Sequence, residues 1–142
     1  MTTQSRKIFI DSSILISFID RGNPNHLKAS KAIGDLASIG YQLYTSSEVM
    51  IDSFALLSSE VGTAIALEFL QTMLQSNIEI LFSQKTDLIT AHRILRVNRE
   101  RQITLDEALK ATLMQKRGIV QILTFEYWNN LFGTYISNLL VV

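Results

Sequence analysis

The stretch Lys7-Ile8-Phe9-Ile10-Asp11-Ser12-Ser13-Ile14-Leu15-Ile16 decides how the chain is read. Four residues rich in β-formers lead into one acid, and two small hydroxyl residues follow it at once. An apolar run that short, at the start of a chain, reads as a buried strand. Ser12 and Ser13 read as N-cap candidates for a helix carrying Ile14, Leu15, Ile16, Phe18 and Ile19. Asp11 then stands where a buried strand ends and a helix begins. In open α/β sheets ligands bind in the crevice along that carboxyl edge, although capping the helix is a sufficient role for one acid.

The same unit recurs along the chain. Asp20 to Pro24 is a turn, and Asn23-Pro24 predicts a helix start that puts proline at the first helical position. That helix is expected to run to about Ile39, where Gly40 stops it, with Leu27, Ala29, Ile33, Leu36 and Ala37 facing inward. His26 lies in its first turn and reads as a surface residue or one behind the site. Tyr41 to Thr45 reads as a second strand, and Thr45-Ser46-Ser47-Glu48 has the form of a capping box. The next helix ends at Gly62, and Thr63 caps the one after it. Ile78 to Phe82 is the third strand, and Ser83 opens a further helix. Thr104-Leu105-Asp106-Glu107 repeats the capping-box form and starts a helix that Gly118 ends. Ile119 to Thr124 is the fourth strand, and a last strand is expected from about Thr134 to Val142. Strands alternating with helices imply an α/β fold: a three-layer α/β/α sandwich around a mainly parallel sheet of about five strands, formed by residues 1–142 as one domain.

Composition narrows the chemistry. The chain of 142 residues has no cysteine, which removes disulfides, thiolate metal sites and cysteine nucleophiles. Two histidines, His26 and His92, are too few for a histidine-rich zinc site. No signal peptide is evident, and no apolar run approaches the roughly 20 residues of a membrane span, so a soluble cytoplasmic protein is expected, with no membrane partner. Basic and acidic residues cancel at 13 each, but Arg93, Arg96, Arg99 and Arg101 fall close together. Such a cluster forms either a phosphate-binding stripe or a solvated helix face.

Four acids reach equivalent positions. Asp11 follows the first strand, Asp52 lies early in the helix after the second, Asp106 sits in the first turn of a helix, and Glu126 follows the fourth strand. Glu48, one turn before Asp52 on the same face, is its rival. Each acid has a structural role available to it, as the helix dipole supplies for Asp106. Carboxylates gathered at one sheet edge raise one another's pKa and call for a cation, and oxygen ligands suit Mg²⁺ or Mn²⁺. Such a site can activate water for in-line displacement at phosphorus.

This pattern resembles the PIN-domain family over nearly the whole chain. The motifs are Asp11-Ser12-Ser13, then Thr45-Ser46…Asp52-Ser53-Phe54-Ala55-Leu56-Leu57, then Thr104-Leu105-Asp106, then Thr124-Phe125-Glu126. Two of them depart from the family, with Asp52 in place of Glu and Glu126 in place of Asp. The resemblance implies a Mg²⁺- or Mn²⁺-dependent ribonuclease acting on single-stranded RNA, of the VapC-like kind that forms the toxin of a toxin–antitoxin pair. It implies Asp11, Asp52 and Asp106 as metal ligands or their near neighbours, Glu126 as a peripheral one, and an antitoxin protein as partner. Tyr127 and Trp128 offer base-stacking faces, but packing beneath the last strand is the expected role of both. The helix pair from about Ser47 to Gln75 carries Phe54, Leu57, Leu67, Phe69, Leu70 and Met73, more apolar bulk than a small sheet covers, which predicts a homodimer. The alternative function is a PIN-like module without useful catalysis that binds RNA or a partner protein. An Asp-x-Asp phosphatase is excluded by Ser13, and a dinucleotide fold by the lack of a glycine-rich turn after the first strand.

Overall fold

A computed structural model describes residues 6–138. Its strands are β1 (Lys7–Ile10), β2 (Gln42–Ser46), β3 (Glu79–Leu81), β4 (Gln121–Leu123) and β5 (Tyr135–Ile136). The helices are α1 (Ser12–Ile19), α2 (His26–Ser38), α3 (Ser47–Glu60), α4 (Thr63–Gln75), α5 (Lys85–Val97) and α6 (Leu105–Lys116). All strand pairs are parallel, in the order β3-β2-β1-β4-β5. The apolar run at the start of the chain therefore becomes the central strand. Phe9 pairs with Tyr44 on one side and Ile122 on the other, and Ile8, Phe9 and Ile10 are fully buried. Helices α1 to α4 pack against one another as one group and α5 with α6 as another. Right-handed crossovers put the two groups on opposite faces of the sheet, as the three-layer expectation requires.

The order reverses between β1 and β4, so a crevice opens beyond their carboxyl ends. Asp11 and Thr124 are the first residues past those two strands. Among the described helices none is long and apolar enough to cross a membrane.

Several boundaries differ from the expectation for identifiable reasons. Asp11 itself caps α1, its carboxylate accepting from the Ser12 N–H at 2.9 Å. Ser46, not Thr45, caps α3, because β2 runs one residue further and pairs Ser46 with Leu81. Thr45 instead donates its hydroxyl to the Ile10 carbonyl at 2.9 Å. Helix α2 begins at His26, after Asn23 has taken the Asn25 N–H in a side-chain turn at 2.8 Å. Leu27, expected inward, is 81% exposed, and Ala37 is exposed as well. Gly62 rather than Thr63 stands at the N-cap of α4, and α5 starts at Lys85 rather than at Ser83. Strand β5 keeps only Tyr135 and Ile136 of the expected last strand, whose residues 139–142 lie outside the described ones.

The pair α5 and α6 is closed by a buried charge. Asp87, 2% exposed in the first turn of α5, accepts from the Gln84 N–H and from Lys116 Nζ, both at 2.8 Å. Burial pushes its carboxyl up, but the Lys116 hydrogen bond, the Gln84 N–H and the Lys116 charge together hold it below the usual value. A pKa lower in the folded state stabilises the fold above about pH 4, and the benefit fades as pH falls through the folded value. Asp87→Asn should lower the unfolding free energy by about 1–3 kcal/mol at neutral pH, the usual cost of stranding buried partners. The gap from wild type should narrow below about pH 4 in urea unfolding curves.

Candidate active site

The carboxyl ends of β1 and β4 are sewn together by short polar side chains. The Asp11 N–H donates to the Leu123 carbonyl at 3.0 Å, continuing the β1–β4 ladder by one bond. The Thr124 hydroxyl donates to Asp11 Oδ2 at 2.8 Å and accepts the Glu126 N–H at 3.0 Å. Ser13 Oγ accepts the Phe125 N–H at 3.0 Å and lies 3.2 Å from Thr124 Oγ1. Since Thr124 spends its proton on Asp11, Ser13 is the donor in that last contact. These bonds explain why a hydroxyl follows both strands. They hold the Asp11 carboxylate, in a residue only 5% exposed, at the foot of the crevice.

Two acids and one base meet there. Lys110 Nζ lies 2.7 Å from Asp11 Oδ1 and 2.5 Å from Asp106 Oδ2. Asp106 and Lys110 are four residues apart on α6, which places them on one face of the helix. Asp106 remains about half exposed, whereas Lys110 is 8% exposed. Burial alone would lower the lysine's pKa; the charges of Asp11 and Asp106, with the hydrogen bonds to both, outweigh it and raise the pKa above the ordinary value. Lys110 is therefore a buried ammonium ion shared by two carboxylates.

The surrounding cavity measures about 420 Å³, and Asp11, Asp106, Lys110 and Glu126 all line it. Glu126 is exposed on the loop after β4. One wall is built from Glu107, which accepts both the backbone N–H and the side-chain amide of Asn129, at 2.6 and 2.7 Å. Trp128 is buried and donates to Thr134 Oγ1 at 2.9 Å, the packing role expected of it. Tyr127, expected to pack likewise, is 81% exposed.

Asp52 does not line this cavity; it is exposed on the flank of α3, next to the exposed Ile51 and Ala55. Its rival Glu48 does not line it either, and is tied instead to the hydroxyls of Ser47 and Ser83. His26 is half-buried behind α1, its Nδ1 3.0 Å from the Ser17 carbonyl. Among the described residues no three acidic or histidine side chains are close enough together to hold one ion. Asp11 and Asp106 nonetheless aim oxygens at one point, which is a donor set for a hard cation. Sequence reasoning passes over Lys110, although it is the one charge within the buried run Ala108 to Met114.

The four arginines surround a separate concavity of about 640 Å³ at the end of α5, together with Glu100. None of the four pairs with an acidic side chain among the described residues. Arg101 donates to the Asn129 carbonyl at 2.8 Å, and Asn129 lines the acidic cavity. One hydrogen bond thus links the lining of the basic hollow to that of the acidic one.

Comparison with known proteins agrees with this architecture. The family model described as the PIN domain matches residues 8–127. Among solved structures, VapC20 of Mycobacterium tuberculosis, described as a toxin that cleaves the sarcin–ricin loop, superposes with a TM-score of 0.73 at 22% identity, covering 84% of this chain and 89% of that one. VapBC2 of Rickettsia felis, solved bound to a DNA fragment from its promoter, gives a TM-score of 0.71 at 14% identity over 92% of this chain and 97% of the other. Among curated proteins no sequence matches.

Proposed function

We propose, since this chain belongs to the PIN-domain family, that it is a metal-dependent ribonuclease that hydrolyses phosphodiester bonds of single-stranded RNA. The observation that carries the proposal is the aim of Asp11 and Asp106 at a single point in the crevice where the strand order reverses. Asp11 and Asp106 would hold a Mg²⁺ or Mn²⁺ ion, with Glu126 as a further carboxylate in the same cavity, whereas Asp52, outside it on α3, would contribute only if that helix or the substrate brought it closer. Such an ion, when bound, supplies a polarised phosphoryl oxygen and a more acidic water. The residues of the chain do the rest. Thr124 and the Ser12 N–H fix the orientation of Asp11, and the exposed face of Tyr127 at the rim offers a surface on which a base can stack. The arginine concavity, linked to the cavity's lining through Arg101 and Asn129, would take backbone phosphates of the same RNA.

The toxin reading, with an antitoxin partner and a cytoplasmic site of action, draws support from the shared fold with VapC20 and VapBC2. Of the residues from which a homodimer is expected, Leu57, Phe69 and Met73 are buried within the fold and only Leu67 is exposed. The homodimer draws support instead from Ile51, Leu56, Leu67 and Leu74, which stay exposed on α3 and α4 after these two helices have packed together. Light scattering should give twice the 16.0 kDa of one chain, and a monomer at high concentration would remove this part of the proposal. A second reading is a catalytically silent RNA-binding module, and the Lys110 ammonium that already occupies the gap between the two acids favours it.

Cleavage assays separate the two. Wild type should cut single-stranded RNA with Mn²⁺ and stop in EDTA. Asp11→Asn and Asp106→Asn should each lose more than about 100-fold, since removing even an outer partner of a metal ligand costs roughly 10–100-fold. Glu126→Ala should lose less than either, because Glu126 is exposed while Asp11 is buried and held on three sides. Equal cleavage by wild type and Asp106→Asn would point to a contaminating nuclease and favour the binding module.

The arginines give an independent readout. Combined replacement of Arg93, Arg96 and Arg99 by alanine should weaken RNA binding about equally for all sequences. The slope of log affinity against log salt should flatten by about 0.7 for each phosphate that is no longer neutralised. An unchanged slope would make this concavity an ordinary solvated surface.

A further inference from the structure

We infer that Lys110 is a tethered stand-in for the divalent ion: its ammonium holds Asp11 and Asp106 together when no metal is bound, and a metal enters only by displacing it. The inference rests on the metal-dependent reading of the site and specifies how that site is controlled.

The nitrogen of Lys110 lies 2.7 and 2.5 Å from one oxygen of each acid. A Mg²⁺ ion taking the same two oxygens, at the shorter distance of about 2.0–2.1 Å that it requires, would have to sit between them, in the gap that the ammonium fills. Two cations cannot occupy that gap together. A protonated ammonium has no lone pair to offer a metal, so it cannot join the ligand set. Binding of the metal therefore requires the lysine to leave.

Burial explains why the lysine is there at all. A charged side chain in a nearly closed site is tolerated only when paired, and a carboxylate that is 5% exposed faces the same requirement. Asp11 has a neutral hydroxyl, a backbone N–H and Lys110 as partners, so among the described residues Lys110 is the only side-chain charge opposing it. Without metal and without Lys110, Asp11 and Asp106 would face each other uncompensated. The lysine's flexible four-carbon stem also gives it a way out, since the ammonium can swing toward the open side of the cavity. The apparent metal affinity is then the intrinsic affinity reduced by the fraction of molecules in which the lysine has left.

Mn²⁺ titration calorimetry and thermal unfolding test this without any cleavage assay. Lys110→Met keeps an unbranched apolar stem and deletes the charge. It should bind Mn²⁺ at least about 10-fold more tightly than wild type, the gain expected when a state populated in under a tenth of molecules becomes dominant. In EDTA Lys110→Met should unfold at a lower temperature than wild type, and Mn²⁺ should raise its midpoint by more than it raises that of wild type. Lys110→Arg keeps a cation in the gap and should bind Mn²⁺ no better than wild type. Adding Asp11→Asn to Lys110→Met should abolish the gained affinity.

Equal or weaker binding by Lys110→Met, with binding still abolished by Asp11→Asn, would overturn the stand-in role while leaving the metal site intact. A gain in affinity by Lys110→Arg would overturn it too, through a variant that retains the charge. If neither wild type nor Lys110→Met bound Mn²⁺, the metal-dependent reading and the inference would fall together.

Discussion

The whole arrangement depends on keeping one buried carboxylate charged. Asp11 ends the central strand, where both neighbouring strands and α1 exclude water from it. An ionised carboxylate in that position is stable only if every lone pair facing the protein finds a donor. The Ser12 N–H at the start of α1, the Thr124 hydroxyl at the end of β4 and the Lys110 ammonium from α6 supply them. Each donor comes from a different element, so satisfying Asp11 locks α1, β4 and α6 into one geometry. The register of β1 against β4 and the placement of α6 are therefore part of the site, and the site is part of the fold.

That requirement also accounts for the contrast between neighbouring hollows. The acidic cavity holds one cation of its own, Lys110, between two of its four acids, whereas the arginines at the end of α5 have no acidic partners among the described residues. Asn129 joins the two, receiving Arg101 on its carbonyl and giving its amide hydrogens to Glu107. A polyanion lying across Asn129 would meet unpaired positive charge on one side and, on the other, a cluster of acids bridged by a single lysine.

Much of this is legible in the sequence. The apolar run before Asp11, the hydroxyls after two strands and the alternation of periods identify the parallel sheet and the edge at which chemistry gathers. Asp11, Asp106 and Glu126 do come to one cavity. Boundaries move where hydroxyl residues compete for the same cap, as when Ser46 caps α3 while Thr45 bonds across to Ile10. Asp52 reads as a purposeful charge in an apolar helix, yet Ile51 and Leu56 beside it are exposed as well, so the apolar stretch is partly surface. Periodicity reports which residues are apolar and cannot separate a core face from a face left open for another chain. Lys110 carries a readable signal, a lone charge in the run Ala-Leu-Lys-Ala-Thr-Leu-Met one turn after an acid. Its second partner, Asp11, lies 99 positions away in the chain, and only the folded topology brings the two together.

The central claim is that Asp11 and Asp106 define the position of a catalytic cation which Lys110 otherwise fills. A crystal of the protein soaked in Mn²⁺, with anomalous diffraction recorded, tests it most directly. The account predicts an anomalous peak between the Asp11 and Asp106 oxygens, with the Lys110 side chain turned out of the gap. Full-occupancy Lys110 still bridging the two acids, with no manganese peak at that point, would contradict it.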